Sequence, residues 1–211
     1  MAPLMSKKSF IKSGEGAIAT YDYIDIANGV GIASFDAFAT QASGAVITQG
    51  LISSEVSGDP IYTRIINTGG ATTHNFDVAF NTPRTMKGKV VLNFTLGEID
   101  DGGSCHVVIT LYKGTNGVYT SLGTATCSQF AGTDTKTDYY RKSLGITVTE
   151  TNFKIGDIFR VTAVLNVYYV TGNHSSLLYY DPSNETLTST VTVPKTYNSN
   201  FKVYVPFRLD I

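Results

Sequence analysis

Residues 153–170 read FKIGDIFRVTAVLNVYYV, and their side chains alternate in character without a break. After the Gly156-Asp157 turn, one alternate set is apolar or aromatic, while the other is mostly polar. The first set is Phe159, Val161, Ala163, Leu165, Val167 and Tyr169; the second is Arg160, Thr162, Val164, Asn166 and Tyr168. Because successive side chains point to opposite sides of a strand, this stretch predicts a long central β-strand with one side in a core.

The composition favours strands over helices throughout the chain. Its 211 residues are 42% apolar and only 16% charged, with 13 Tyr, 11 Phe and no Trp. Such a bias is typical of strands and tight turns. No segment of ten or more residues has helical periodicity, and many short strands separated by turns indicate a sandwich or barrel. The long antiparallel runs favour an all-β, antiparallel β-sandwich of the jelly-roll type.

The chain divides into an N-terminal arm and one large domain. Residues 1–20 alternate poorly, which predicts an extended arm, and residues 21–211 are expected to form a single jelly-roll β-sandwich domain. The stretch NTGGATT at residues 67–73 is expected to be a loop within this domain. The alternative is that it separates a subdomain of residues 21–66 from the rest. Pro206 lies in the last alternating run and cannot donate to a ladder, which predicts an edge strand or a bulge there.

Charge and hydropathy exclude some classes of partner. The net charge is −1, and no long run of one sign gives the basic footprint that nucleic acids need. The N-terminal residues hold no apolar segment of signal-peptide length. No run approaches the roughly 18 apolar residues of a membrane helix. We therefore expect a product made in the cytoplasm, with neither nucleic acid nor membrane as partner.

Cys105 and Cys127 flank a predicted hairpin whose turn is Asn116-Gly117. Centring the hairpin on this turn pairs Leu111 with Leu122 and Cys105 with Ser128. A one-residue slip would be needed to bring the two cysteines opposite each other, and a slip turns an apolar side outward. Two buried thiols are therefore favoured, with a disulfide as the alternative.

Motifs for catalysis and for metal binding are absent from the sequence. The histidines, His74, His106 and His174, show no metal-ligand spacing; His106 is expected to face outward, and the other two to lie at loop edges. No Gly-x-Ser-x-Gly motif and no phosphate-binding loop occurs. We therefore predict no catalytic, cofactor-binding or metal-binding residues and no cofactor.

The stretch GEIDDGG holds a dense acidic cluster, Glu98, Asp100 and Asp101. Carboxylates are hard oxygen ligands, so a calcium-stabilised loop is one hypothesis. The spacing fits no EF-hand loop, and acids on a plain surface loop are the favoured interpretation.

Three tyrosine pairs predict an aromatic surface: Tyr139-Tyr140, Tyr168-Tyr169 and Tyr179-Tyr180. In a strand, one member of each pair must leave the core. Such rings could stack on sugars, pack against another subunit or cover a sheet edge. Subunit packing or edge cover is the favoured interpretation.

The turn FKIGDIF at residues 153–159 resembles the Phe-x-x-Gly-Asp turn common in jelly-roll proteins. Three further stretches resemble virion structural proteins of tailed phages and archaeal viruses: LLYYDPSN at 177–184, FKVYVPFRLDI at 201–211 and IDIANGVGIASFDAF at 24–38. The resemblance implies a capsid, capsid-decoration or fibre protein, often trimeric, and brings no catalytic residues with it. Tumour-necrosis-factor and complement head domains share the Gly-Asp turn but are usually secreted.

The resemblance leads to an expected function. The chain would be a non-enzymatic virion structural protein, located in the virion, that assembles as a homotrimer with copies of itself and with other capsid proteins. The alternative is a carbohydrate- or receptor-binding module at a virion surface or fibre, with glycans as partners.

Overall fold

The alternating stretch forms the strand β12 (Ile158–Tyr169) in a computed structural model of the protein. β12 lies between β8 (Gly103–Thr115) and β6 (Gly70–Ala79), antiparallel to both and in continuous register. Its inward side chains from Phe159 to Val167 are 4% exposed or less. The predicted inner strand with one side in the core is confirmed.

The structure describes most of the chain, with gaps. The described residues are 8–11, 18–21, 30–42, 45–52, 64–67, 70–99, 103–131, 138–169, 175–182, 184–190 and 195–208. They contain no helix long and apolar enough to cross a bilayer.

The chain is all-β, and one 14-stranded sheet folds over so that its two halves face each other as a sandwich. The first half is built on β12, with β6 on one side and β8 on the other. Next to β8 lie β9 (Val118–Thr126) and β10 (Phe130–Ala131). The second half runs in the order β11 (Asp138–Phe153), β7 (Arg84–Ile99), β16 (Lys202–Arg208), β3 (Val30–Ala42) and β4 (Ala45–Ile52). This is the jelly-roll sandwich that the sequence predicts, and its ladders are antiparallel except for one parallel pair between β4 and β6.

Shorter strands extend the second half. β13 (Ser175–Tyr179) pairs with β7 on one side and with β5 (Arg64–Asn67) on the other. β14 (Thr186–Thr188) and β15 (Thr196–Asn198) pair with each other as a separate hairpin. In the predicted arm, β1 (Lys8–Ile11) pairs with β2 (Ile18–Tyr21), which pairs with β3. The division into an arm, a single domain and the open subdomain of residues 21–66 stays a prediction. β6 begins at Gly70, so the second part of the expected loop at residues 67–73 is strand.

The core lies between the two halves. β7 contributes Val90, Leu92, Phe94 and Leu96, all fully buried, opposite the inward row of β12. Aromatic side chains meet edge to face, as in the Phe80–Phe153 pair at 5.0 Å between ring centroids. Burial of each such side chain is worth roughly 1.5–3 kcal/mol.

The Gly156-Asp157 turn makes hydrogen bonds to neighbouring segments of the chain at one end of the sandwich. Gly156 has a φ of 84°, which favours glycine, and its N–H donates to the carbonyl of Phe80 at 2.8 Å. The Asp157 carboxylate accepts from the Lys154 N–H and from the Thr115 hydroxyl, both at 2.8 Å. The Lys154 hydrogen bond is the largest cause that lowers the pKa of Asp157. The conspicuous motif FKIGDIF is therefore a structural turn.

The predicted β8–β9 hairpin forms, but part of its register differs from the prediction. Asn116 and Gly117 have φ values of 51° and 80° and make the tight turn. A bulge next to Tyr112 then places Leu111 opposite Gly123, so the predicted pairing of Leu111 with Leu122 is wrong.

The bulge shifts the register away from the one that would bring the two cysteines opposite each other. The Cys127 N–H donates to the Val107 carbonyl at 3.0 Å, and the Val107 N–H donates to the Cys127 sulfur at 3.1 Å. Cys105 instead pairs with Phe130. Both thiols are free and buried, as the sequence favoured.

β16 lies between β3 and β7, so the edge position proposed for it is wrong and the bulge alternative is confirmed. The ladder with β7 shifts register between Tyr204 and Phe207, where Pro206 has no N–H to donate. Gly88, with a φ of 120°, lies beside the proline ring; a Cβ there would be 3.4 Å from Pro206 Cγ.

The expectation that one tyrosine of each pair leaves the core is wrong for Tyr179 and Tyr180, which are both buried. Tyr180 packs in the main core, while Tyr179 points to the other side of the sheet. There the β14–β15 hairpin covers it, in a small second cluster of Tyr139, Leu177, Tyr179, Leu187 and Tyr197. The chain thus provides its own cover for these rings.

The thiols give a direct test of this packing. Burial is the largest cause that raises the pKa of both Cys105 and Cys127, so the native protein should react with neither Ellman's reagent nor iodoacetamide. We expect two alkylations by mass spectrometry after denaturation without reductant, and the same number with it. Alkylation that occurs only after reduction would show a disulfide and would contradict the two free thiols.

Candidate functional site

The outward side chains of β12 lie on a continuous surface with those of its neighbours. Arg160 lies between Asp77 on β6 and Tyr112 on β8, and Thr162 lies between Asn75 and Thr110. We call this surface the β12 face. Its central residues are Asn75, Asp77, His106, Val108, Thr110, Tyr112, Tyr119, Thr124, Arg160, Thr162, Val164, Asn166 and Tyr168.

Arg160 is held in one position on this face. Its Nε and Nη2 donate to the two carboxylate oxygens of Asp77, each at 2.7 Å, and Nη2 also donates to the Tyr119 hydroxyl at 2.8 Å. The guanidinium carbon lies 3.7 Å from the centroid of the Tyr119 ring. The hydrogen bonds with Asp77 are the largest cause that raises the pKa of Arg160. The two side chains remain 22% and 30% exposed, so other molecules can reach them.

A glycine makes room for this arrangement. Gly114 lies opposite Tyr119 in the β8–β9 ladder, and a Cβ at position 114 would lie 2.6 Å from the Tyr119 ring. Without that Cβ the ring can lie across β8 and meet Arg160. The sequence alone did not indicate Tyr119 as a partner of Arg160, because β8 lies between their two strands.

The remainder of the face is polar, aromatic and nearly uncharged. The Thr162 hydroxyl donates to Asn75 Oδ1 at 2.7 Å, and the hydroxyls of Thr110 and Thr124 lie 3.0 Å apart. His106 faces outward, as predicted, and stacks on Tyr168 with ring centroids 5.4 Å apart.

A nucleophile does lie beside an acid inside the protein. The Ser176 hydroxyl donates to Glu98 Oε1 at 2.6 Å, and both residues are fully buried, as is Cys105 beside them. After burial, the charge and hydrogen bond of Glu98 are the next causes that raise the pKa of Cys105. Because no member of this cluster meets solvent in this conformation, the arrangement stabilises the core and cannot contact a substrate.

Glu98 therefore overturns the interpretation of GEIDDGG as a plain surface loop. β7 continues to Ile99, and its even-numbered residues from Val90 to Leu96 face inward. The same parity places Glu98 inside, and this extension of the alternation was the signal in the sequence. Asp100 and Asp101 lie outside the described residues, as does His174.

His74 differs from its predicted place. It lies within β6, and its pKa is lowered because the ring is desolvated by burial. The expectation of a loop edge followed from the stretch NTGGATT before it, whose residues from Gly70 onward belong to β6. Within the described part of the chain, no group of three or more His, Cys, Asp or Glu side chains could hold a metal ion.

Comparisons with known proteins give only distant likenesses. No protein-family model matches the chain, and no curated protein sequence matches it. An α-amino acid ester hydrolase structure matches with a TM-score of 0.49 and 11% identity, over 82% of this chain and 36% of that one. A CocE/NonD family hydrolase from Staphylococcus aureus matches with a TM-score of 0.44 and 8% identity, over 81% and 36%. The VP2 subviral particle of infectious bursal disease virus matches with a TM-score of 0.31 and 12% identity, over 96% and 63%.

The comparisons correct the expected function. The structures that match with the higher TM-scores are hydrolases, and virion proteins match less well. The expectations of a non-enzymatic virion structural protein, of its glycan- or receptor-binding alternative at a virion, and of no enzyme are therefore wrong. This chain spans about a third of the length of those hydrolases.

What remains of the resemblance is coarse. A capsid-type β-sandwich agrees with the viral match, whereas a phage or archaeal origin, a virion location and a homotrimer stay predictions. At these identities and TM-scores, the likenesses assign neither activity nor substrate to the chain.

The buried cluster makes a testable contribution to stability. We expect Ser176→Ala to lower the free energy of unfolding by about 1–3 kcal/mol, because the fully buried Glu98 carboxylate loses the hydrogen bond from the Ser176 hydroxyl. Urea denaturation followed by circular dichroism measures this change. Ser143→Ala, at an exposed position of β11, is the matched control and should stay within about 0.5 kcal/mol of the parent. Equal effects of the two substitutions would contradict a structural role for the cluster.

Proposed function

We propose that the chain is a protein-interaction domain that binds a second copy of itself through the β12 face. The observation that carries the proposal is the Arg160 cluster, in which one partly exposed cation is fixed by Asp77 and Tyr119 before any partner arrives. Arginine and tyrosine are, with tryptophan, the residues enriched at the energetic centres of protein interfaces. A side chain that is already ordered loses little entropy on binding.

The charge of the face supports a copy of the chain as the partner. Arg160 and Asp77 neutralise each other, so two β12 faces can meet without repulsion between like charges. The outer surface of the opposite half is different. It carries Lys87, Lys89, Arg141, Lys202 and Arg208 against Asp36 and Glu150. Two such basic surfaces would repel each other.

The apolar content of the face supplies a contact area. Val108 and Val164 lie opposite each other in the ladder, and both are partly exposed. Tyr168, two outward positions along β12 from Val164, is 50% exposed. A twofold dimer uses the same surface of both copies, so one substitution in the sequence changes the interface at two places.

Sedimentation velocity across the micromolar range tests the proposal. We expect the parent chain to dimerise and Tyr168→Arg to raise the dimer dissociation constant at least about tenfold, because two like charges then face each other. Ile155→Arg is the matched control, since Ile155 is 69% exposed in a turn outside the β12 face; it should dimerise like the parent. A monomeric parent chain, or an equal loss in both variants, would overturn the proposal.

A further inference from the structure

The two halves of the sandwich meet along β4 and β6, and this junction is short. Its ladder has one parallel pair, Gly50 with Asp77. A Cβ at Gly50 would lie 2.8 Å from the Phe38 ring and 3.2 Å from the Asp77 carbonyl, so the close approach requires glycine. We call this junction the seam.

The side chain of Gln49 adds a second connection across the seam. Its Oε1 accepts from the Asn75 N–H at 3.0 Å, and its Nε2 lies against Nδ1 of His74. Because the Asn75 backbone N–H can only donate, the carbonyl oxygen of the Gln49 amide must face it. The NH₂ group therefore faces His74, and Nδ1 must accept its hydrogen bond. This geometry needs the neutral ring with its proton on Nε2.

Among the described residues, no neighbour of His74 favours the charged ring. Its Nε2 is buried and makes no hydrogen bond within the described residues. On β12 the opposite residue is Ala163, and the ring of Tyr180 lies 6.5 Å away between centroids. Burial alone lowers the pKa of His74.

The charged side chains that the structure describes on the neighbouring strands face elsewhere. Asp77 on β6 points outward to Arg160, and Asp36 on β3 points outward to Lys202. Tyr180 is thus the titratable group among the described residues that faces the ring. A protonated His74 would bring an N–H against the Gln49 NH₂ group and bury a charge without an acceptor.

We propose that His74 and Gln49 form a pH-sensitive latch, in which the neutral ring keeps the seam closed and protonation of the ring releases β4 from β6. The sign follows from the lowered pKa. The closed seam is fully stable above the ordinary histidine pKa of about 6.5 and loses stability as the pH falls below it, down to the lowered value in the folded protein.

Hydrogen exchange read out by mass spectrometry tests the latch on the intact chain. Peptides covering β4 are compared at about pH 7.5 and about pH 5.5, after correction for the intrinsic exchange rate. We expect protection of β4 to fall by up to about tenfold per pH unit inside that window, while β8 and β12 keep theirs. Unchanged protection of β4 in the parent chain would overturn the proposal.

Two variants separate the latch from general acid sensitivity. His74→Asn keeps an acceptor near the position of Nδ1 but cannot titrate, so its β4 protection should not depend on pH. Gln49→Glu places a carboxylate against the ring and should reverse the pH dependence, because the charged ring then gains an acceptor. His106→Asn on the β12 face is the control and should open like the parent. The proposal fails if His74→Asn opens in acid like the parent. If His74→Asn does not fold, Gln49→Glu supplies the test. The proposal then fails if the hydrogen-exchange protection of β4 in Gln49→Glu does not rise in acid.

Discussion

The register of β12 against its two neighbours is the constraint on which both the core and the β12 face depend. In this register Phe159 and Val161 point into the core, and Arg160 lies opposite Asp77. A shift by one residue would expose Phe159 and bury Arg160. Burial of an unpaired guanidinium costs several kcal/mol, and the paired hydrogen bonds to Asp77 would be lost as well. The apolar and the charged side chains of β12 therefore favour the same alignment.

Glycines that leave room for a neighbour complete this arrangement at two sites. At Gly50 the missing side chain lets β4 reach β6 and close the sandwich, and at Gly114 it lets the Tyr119 ring lie across β8 onto Arg160. In both places the neighbouring atoms would lie closer to a Cβ than real contacts allow. The seam and the Arg160 cluster thus share one structural requirement. Each needs a glycine where a neighbouring ring or strand approaches the backbone too closely for a Cβ.

The alternation of residues 159–167 was enough to predict the central strand, because a period of two is a local property. The sandwich was predicted from the many short strands separated by turns. The sequence did not predict the pairing of Leu111 with Gly123, since a bulge changes the register without changing the pattern. Burial of both Tyr179 and Tyr180 depends on a hairpin that folds back from later in the chain. Partners of Arg160 and His74 come from other strands, so the sequence predicted neither set of partners and indicated only that Arg160 faces outward. His74 was assigned to a loop edge because the preceding glycines were interpreted as a break.

The seam and the β12 face share β6, yet their stabilities differ. β6 pairs with β12 without interruption from Ile158 to Val167, whereas the ladder between β6 and β4 has one pair, supplemented by Gln49. Few hydrogen bonds and a neutral, partly buried ring place the seam at the low-stability end of the molecule. Protonation of His74 therefore acts first on β4, while Asp77 keeps its position opposite Arg160 through the longer ladder. Local opening of the seam and docking through the β12 face are in this way separable, because one depends on the edge of β6 that faces β4 and the other on the edge that faces β12.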